Sequence, residues 1–416
     1  MITSLAAMVV LGQANLAADR VDMGIRLRRL DAAWVKASEE RKKFAVKTIN
    51  QSVMGFFSGK YGEVCKGLDF ATAELIGTKP VGRESLIFRV RPQIYEPGEE
   101  VEVSIGWAYN NLMEPLTLKW EGHEFTIKPG ETVKRKVLTQ ARMMPMIYPP
   151  FHDSVRGKED FEVNGVKLDS GSAWLVNARR FETMRLAESS PWAGVAQLVG
   201  SARGDGIESP FAVADSVARM DSVVPEKQDE LSPVYARSGE TMIRICAPDA
   251  PFGKLAQRKK VMIVLHGAGG SENMFPESYG AGRFVKKATD EGWLVLSPQA
   301  TGKAVKDCRD WMEKQGIKPE KLVIGGHSMG GGIALMAAAD DVDAIVTFAP
   351  AGGRAPEGIP FFVAVGAHEM AMLKGSVDAL GKQATEFKTY ANAEHLMVVA
   401  EATDDAWAFV KRVTEK

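Results

Sequence analysis

Leu322-Val323-Ile324-Gly325-Gly326-His327-Ser328-Met329-Gly330-Gly331-Gly332 is the stretch on which the fold turns. Its first three residues read as a buried strand, and the run from Met329 through Ile333-Ala334-Leu335-Met336 reads as a helix. Between them lies Gly326-His327-Ser328-Met329-Gly330, a G-x-S-x-G sequence. On a strand-to-helix turn that spacing lifts the serine hydroxyl out of the chain, and the small neighbours let strand and helix approach closely. The helix N-terminus behind it favours negative charge developing at the site. A phosphate-cradling loop is the other reading of such a glycine run, but the Lys that a P-loop carries after its glycines is absent.

Working outward, apolar runs of strand length alternate with helical stretches from about residue 232 to the end. The strands are Met242–Cys246, Val261–Leu265, Trp293–Ser297, Leu322–Ile324, Ala344–Phe348, Phe361–Val365 and Glu386–Tyr390. Helices fall near 281–290, 303–315, 329–340, 371–382 and 403–414. Near-continuous apolar strands separated by helices predict a doubly wound, mostly parallel sheet covered on both faces.

A serine hydroxyl needs a base to become a nucleophile. Two histidines follow Ser328. His395 lies after the last predicted strand, in Ala393-Glu394-His395-Leu396, and is assigned as the base; His368 precedes it, next to Glu369. The third member orients the imidazole and stabilises its protonated form. It should follow the strand Phe361–Val365, where Gly366-Ala367-His368-Glu369 supplies Glu369; Asp378, inside a predicted helix, is the fallback. Acyl transfer also needs donors for an oxyanion. The backbone N–H of Met329 is one, and that of Ala268, in the nest His266-Gly267-Ala268-Gly269-Gly270, is the other. The His266 side chain is expected to hold this loop.

His266–Gly270, the elbow at 326–330, Glu369 and His395 together resemble the α/β-hydrolase superfamily. Residues 325–332, with Ala344–Pro350 beyond them, are similar to its dienelactone-hydrolase-like, feruloyl-esterase-like and polyester-hydrolase (cutinase-type) branches. The resemblance covers about 232–416 and implies hydrolysis of carboxylic esters, small or polymeric, through an acyl-serine, with no metal or organic cofactor. Two departures separate the chain from particular branches. Ala351-Gly352-Gly353 stand where polyester hydrolases carry an aromatic residue, and the nucleophile is Ser328 where dienelactone hydrolases use cysteine. A serine peptidase of prolyl-oligopeptidase type and a hydrolase fold kept only for binding are the competing readings. The first of these carries a β-propeller several times longer than any β-rich region here.

The remaining chain is read as architecture. Residues 1–80 form a helical segment: Met23, Leu27, Leu30 and Trp34, and then Val64, Leu68, Ala71 and Leu75, recur at steps of three and four. A helical hairpin turning at Gly59 is expected, a packing module without chemistry. From 81 to 180 the period becomes two, with turns at Pro97-Gly98, Pro129-Gly130 and Asn164-Gly165, predicting a small β-sandwich. Its His123 and His152 are read as isolated surface or turn residues, and Trp107, Tyr109 and Trp120 as packing aromatics rather than a polymer-binding platform. Residues 181–231 are read as a helical connector. No insertion within 232–416 is long enough for a lid, so the pocket is expected to be open unless the sandwich or the connector covers it.

Composition sets the outer limits. The 416 residues are 45% hydrophobic and 25% charged, the make-up of a packed globular chain. Single cores stop growing at about 250–300 residues, so about two or three domains are expected. Fifty-two basic against 53 acidic side chains leave a net charge of −1, which gives no field to gather nucleic acid. No apolar run reaches the roughly 18 residues of a membrane span. Cys65, Cys246 and Cys308 make no CxxC pair and no zinc spacing. The apolar residues 5–11 followed by Gly12-Gln13-Ala14 read either as a signal peptide over 1–14 or as the start of a first helix. The first reading sends the protein to the periplasm or the exterior, and the second keeps it in the cytoplasm. Oligomeric state is left open.

Overall fold

The computed structural model describes residues 16–80, 82–91, 94–95, 98–109, 114–140, 158–163, 166–175, 234–239, 241–247 and 256–415. The candidate signal peptide, the connector at 181–231, His152 and Asn164-Gly165 lie outside them.

The first elements among the described residues are three helices: α1 (Arg20–Trp34), α2 (Glu39–Phe57) and α3 (Tyr61–Ile76). The expected hairpin is thus a three-helix unit. Its first break falls at Ser38, whose hydroxyl accepts from the Arg41 N–H and starts α2. The second falls at Gly59, with φ +72°. Met23, Leu27, Leu30 and Trp34 are buried along α1, and Val64, Leu68, Ala71 and Leu75 along α3.

Two small sheets follow. β1 (Leu86–Arg91), β3 (Glu100–Trp107) and β6 (Val133–Leu138) make one; β2 (Ile94–Tyr95), β4 (Leu116–Trp120), β5 (His123–Ile127), β7 (Lys158–Val163) and β8 (Val166–Leu175) make the other. Alternating residues of both, among them Phe88, Val103, Leu118 and Ile127, share one core, so the expected sandwich forms. Trp120 is inside that core, its ring 5.5 Å from that of Phe88. His123 bonds the Leu138 carbonyl at the exposed rim. Tyr109 reaches out of the sandwich: its hydroxyl donates to Asp69 of α3 (2.8 Å), the carboxylate that also pairs with Arg26 of α1 (2.8 Å).

The remaining strands are β9 (Val234–Ser238), β10 (Thr241–Cys246), β11 (Lys260–Leu265), β12 (Leu294–Pro298), β13 (Lys321–His327), β14 (Ala344–Phe348), β15 (Phe361–Gly366) and β16 (Glu386–Tyr390). They form one eight-stranded sheet in the order β9-β10-β12-β11-β13-β14-β15-β16. The six strands from β12 to β16 in this order are parallel, with β10 and β9 antiparallel at one edge. Helices α4 (Met274–Glu277), α5 (Arg283–Asp290) and α9 (Val398–Thr414) bury their apolar sides on one face; α6 (Ala304–Lys314), α7 (Met329–Met336) and α8 (Ala371–Gly381) cover the other. Along β13, Val323 points to the first core while Leu322 and Ile324 point to the second. Strand order reverses at β11, which has β12 on one side and β13 on the other. The loops leaving β11 and β13 therefore diverge from a crevice at the C-terminal edge, where open α/β sheets bind ligands.

The crevice is covered by the N-terminal helices, which corrects the expectation of an open site; the connector lies outside the described residues. Helices α1–α3 lie over it and share a single core with the sheet: Leu27, Leu30, Trp34 and Ile49 are in one apolar cluster with Phe275, Tyr279 and Phe348. The physical reason is that apolar side chains of these helices pack into the same cluster as those of the sheet unit, so both are buried together. Polar contacts pin the unit in place. The Asp31 carboxylate accepts from the Ser278 hydroxyl and from the Gly280 N–H (3.0 Å). Trp34 Nε1 and Lys42 Nζ both donate to Glu401 of α9, each at 2.7 Å.

Candidate active site

Ser328 occupies the turn between β13 and α7 with φ +53° and ψ −120°. A side chain rarely adopts that backbone, and here two hydrogen bonds and two close backbone approaches enforce it. The Ser328 N–H donates to Phe348 O (2.9 Å), and the Ala351 N–H donates to Ser328 O (2.9 Å). A Cβ at Gly326 would sit 2.3 Å from the Gly330 carbonyl, and one at Gly330 would sit 2.1 Å from Leu265 O. The flanking glycines are therefore demanded by contact between the helix, its own strand and neighbouring β11. The same contact brings the loop after β11 against the elbow. Met329 opens α7, so its N–H is among those the helix itself leaves unpaired.

His395 stands between β16 and α9. The preceding Glu394 accepts from the N–H groups of Leu396 (2.9 Å) and Met397 (2.8 Å), ordering the chain just ahead of α9. Burial pushes the Glu394 carboxyl up to about 7. His395 Nδ1 donates to Glu369 Oε1 at 2.9 Å, with both side chains buried. The same oxygen accepts the Met370 N–H at 2.7 Å, which fixes the carboxylate in the loop after β15. The structure thus brings Glu369 and His395 together. Asp378 sits elsewhere, on the outer side of α8, where it pairs with Lys374. His368 is exposed.

In the loop after β11, His266 Nδ1 donates to the Gly267 carbonyl (2.7 Å) and Nε2 accepts the Ala300 N–H (2.8 Å). Burial lowers this imidazole to about 4, so it stays neutral. The loop is held as expected from the sequence, and Ala268 lies on the cavity wall.

Two side chains absent from the sequence-based site join these parts. The Tyr279 hydroxyl accepts the Gly267 N–H (3.2 Å) and donates to His327 Nδ1 (2.7 Å). His327 Nε2 donates to the His395 carbonyl (2.7 Å). Burial, with His395 close by, holds the His327 ring well below its ordinary pKa, so one nitrogen accepts and the other donates. The loop after β11 and the loop carrying His395 are linked through two buried rings. His327 was visible as the second residue of the elbow motif, but nothing in the sequence pairs it with Tyr279.

Ser328, His395, Gly267 and Ala268 form the floor of a cavity of about 60 Å³. Its other walls come from α1, α2 and α3, including Leu27, Ile49, Val53 and Val64. The Phe56 ring lies on the loop after β11: a Cβ at Gly269 would approach its Cζ to 2.3 Å.

No family model and no curated protein matches this chain. Among solved structures it is similar to Est1E from Butyrivibrio proteoclasticus, at 15% identity and TM-score 0.36, over 44% of this chain and 99% of that one. It is also similar to the Pyrococcus furiosus esterase Pf2001, at 16% and 0.34, over 44% of this chain and 91% of that one. A third is an esterase from the bacterial hormone-sensitive lipase family, at 15% and 0.35, over 47% and 91%. Overlaps of that order leave the chemistry to be read from the side chains themselves.

Proposed function

We propose that the protein is a serine hydrolase of carboxylic esters, with Ser328 as nucleophile, His395 as base and Glu369 as the orienting acid. The observation that carries this reading is the convergence on one cavity of a serine at a strained strand-to-helix turn and a histidine whose far nitrogen is held by a buried carboxylate. With Nδ1 engaged by Glu369, Nε2 is left for the serine proton. Ser328 Oγ attacks the ester carbonyl carbon as His395 takes its proton. The backbone N–H groups of Ala268 and Met329 stabilise the oxyanion. The C–O bond to the alcohol then breaks, and the alcohol leaves with the proton from His395. Water, deprotonated by the same ring, releases the acid and restores the serine.

Neutral esters need no electrostatic steering, in keeping with a net charge of −1. The test is hydrolysis of p-nitrophenyl acetate and of a chromogenic peptide by the purified chain. Ester turnover that vanishes in Ser328→Ala is the expected result. Peptide cleavage without ester turnover would move the protein to the peptidases, and ester turnover retained in Ser328→Ala would remove the assigned nucleophile.

A further inference from the structure

The cavity wall supplied by α1–α3 differs in chemistry from its floor. Leu27, Ile49, Val53, Phe56 and Val64 face it with hydrocarbon. The polar side chain on that side is Ser52, and its hydroxyl already donates to Thr48 O (2.9 Å) in its own helix. Beside the reacting groups Ser328 and His395, the floor's other polar side chains are similarly engaged, Tyr279 with Gly267 and His327, and His327 with the His395 carbonyl. A charged or hydroxyl-rich group entering here would lose water and find no partner on the helices. A hydrocarbon chain would lose water and gain contact at every carbon.

We infer that this cavity is the binding site for the aliphatic chain of the ester, and that the three N-terminal helices set the length of chain the protein accepts. The inference rests on the esterase reading for its link to turnover. The helices are suited to a fixed length because they are fastened to the sheet unit from several sides. Asp31 is bound to Ser278 and Gly280, and Trp34 and Lys42 to Glu401. Their apolar faces belong to the same core as the sheet. The chain site is therefore a built space. Residues of α1 and α2, distant in sequence from Ser328, decide selectivity, while the elbow, Glu369 and His395 do the chemistry.

The experiment uses the full chain and two ester series. One varies the acyl group of p-nitrophenyl esters from acetate to dodecanoate. The other varies the straight-chain alcohol of acetate esters over the same range. In one series kcat/KM should rise about fourfold per added methylene until the cavity is filled, then fall. The series that rises identifies the side of the ester that lodges under the helices. A chain of equal length ending in a carboxylate should lose that gain. Val53→Phe should move the break to shorter chains and Val53→Ala to longer ones, read as the ratio of each rate to the same variant's acetate rate. Opposite shifts from one position cannot come from misfolding. If both series stay within about twofold while acetate is turned over in a Ser328-dependent way, the chain site is overturned and the esterase reading stands. Calorimetry covers the opposite case. Decanoate bound by the wild type and at least tenfold more weakly by Val53→Phe supports the chain site even without ester turnover, and no decanoate binding by the wild type overturns it.

Discussion

Ser328, His395 and Glu369 act as a unit in this account, so their single substitutions should be far from additive. Ser328→Ala and His395→Ala should each lower kcat by about 10⁶-fold, and Glu369→Gln by about 10⁴-fold. Asp378→Ala should leave the rate unchanged, because its carboxylate is spent on Lys374 at the surface. Steady-state kinetics decides the matter: full activity in Glu369→Ala beside a dead Asp378→Ala would reverse the assignment. Tyr279→Phe removes one donor and one acceptor from the link between the loop after β11 and His395. Leaving such buried partners unmatched costs about 1–3 kcal/mol, so kcat should fall roughly tenfold to a hundredfold with KM nearly constant. A KM effect alone would assign Tyr279 to binding instead. At this scale, the nearness of Glu369 to His395 was legible from their places after β15 and β16. The Tyr279–His327 link was not, because it depends on the chain from 271 to 282 folding back between two loops.

At the scale of elements, α1 carries its own signal of docking. Leu27, Leu30 and Trp34 mark an apolar stripe, and Asp31 falls within it. Burial raises the Asp31 carboxyl from 3.8 to about 6, against the lowering effect of its bonds to Ser278 and Gly280. The folded chain therefore holds a proton that the unfolded chain has lost between about pH 4 and 6, and Asp31 costs stability as pH rises through that window, on the order of 3 kcal/mol. His266, lowered from 6.5 to about 4, works in the opposite sense over the same range. The total profile mixes these with other buried groups, among them Glu394, whose carboxyl burial raises to about 7, so the informative quantity is a difference. Asp31→Asn keeps an acceptor for Gly280 and removes the titration. Urea unfolding at pH 4 and pH 7 should find the wild type losing ground to Asp31→Asn by on the order of 3 kcal/mol. A difference that does not change with pH would remove Asp31 as a buried acid. Element types were legible from periodicity: the seven predicted strands of the large sheet all form. The misses lie where tertiary contact decides. β13 runs on to His327 under its pairing with Phe348, β9 forms on the edge beside β10, and α9 starts at Val398 because Glu394 binds the backbone ahead of it.

For the whole molecule, the helical start and the large sheet are far apart in sequence but packed together. Helices α1–α3 and one face of the large sheet share a core, whereas the sandwich has its own. A chain lacking residues 1–80 should expose that face, bind a hydrophobic dye and lose the cooperative melting of the sheet. Undisturbed melting of the shortened chain would mean that the cover is an accessory. The amphipathic pattern announced that these helices needed a partner but not which one, since any apolar surface satisfies a stripe. That is why a cover supplied from the start of the chain was illegible while the sheet beneath it was plain. The central claim is that Ser328 is an activated nucleophile, and covalent labelling by a fluorophosphonate tests it most directly. Intact mass and peptide mapping should find one adduct, on Ser328, in the wild type and none in Ser328→Ala. An unlabelled wild type, or a label that persists in Ser328→Ala, would contradict the claim.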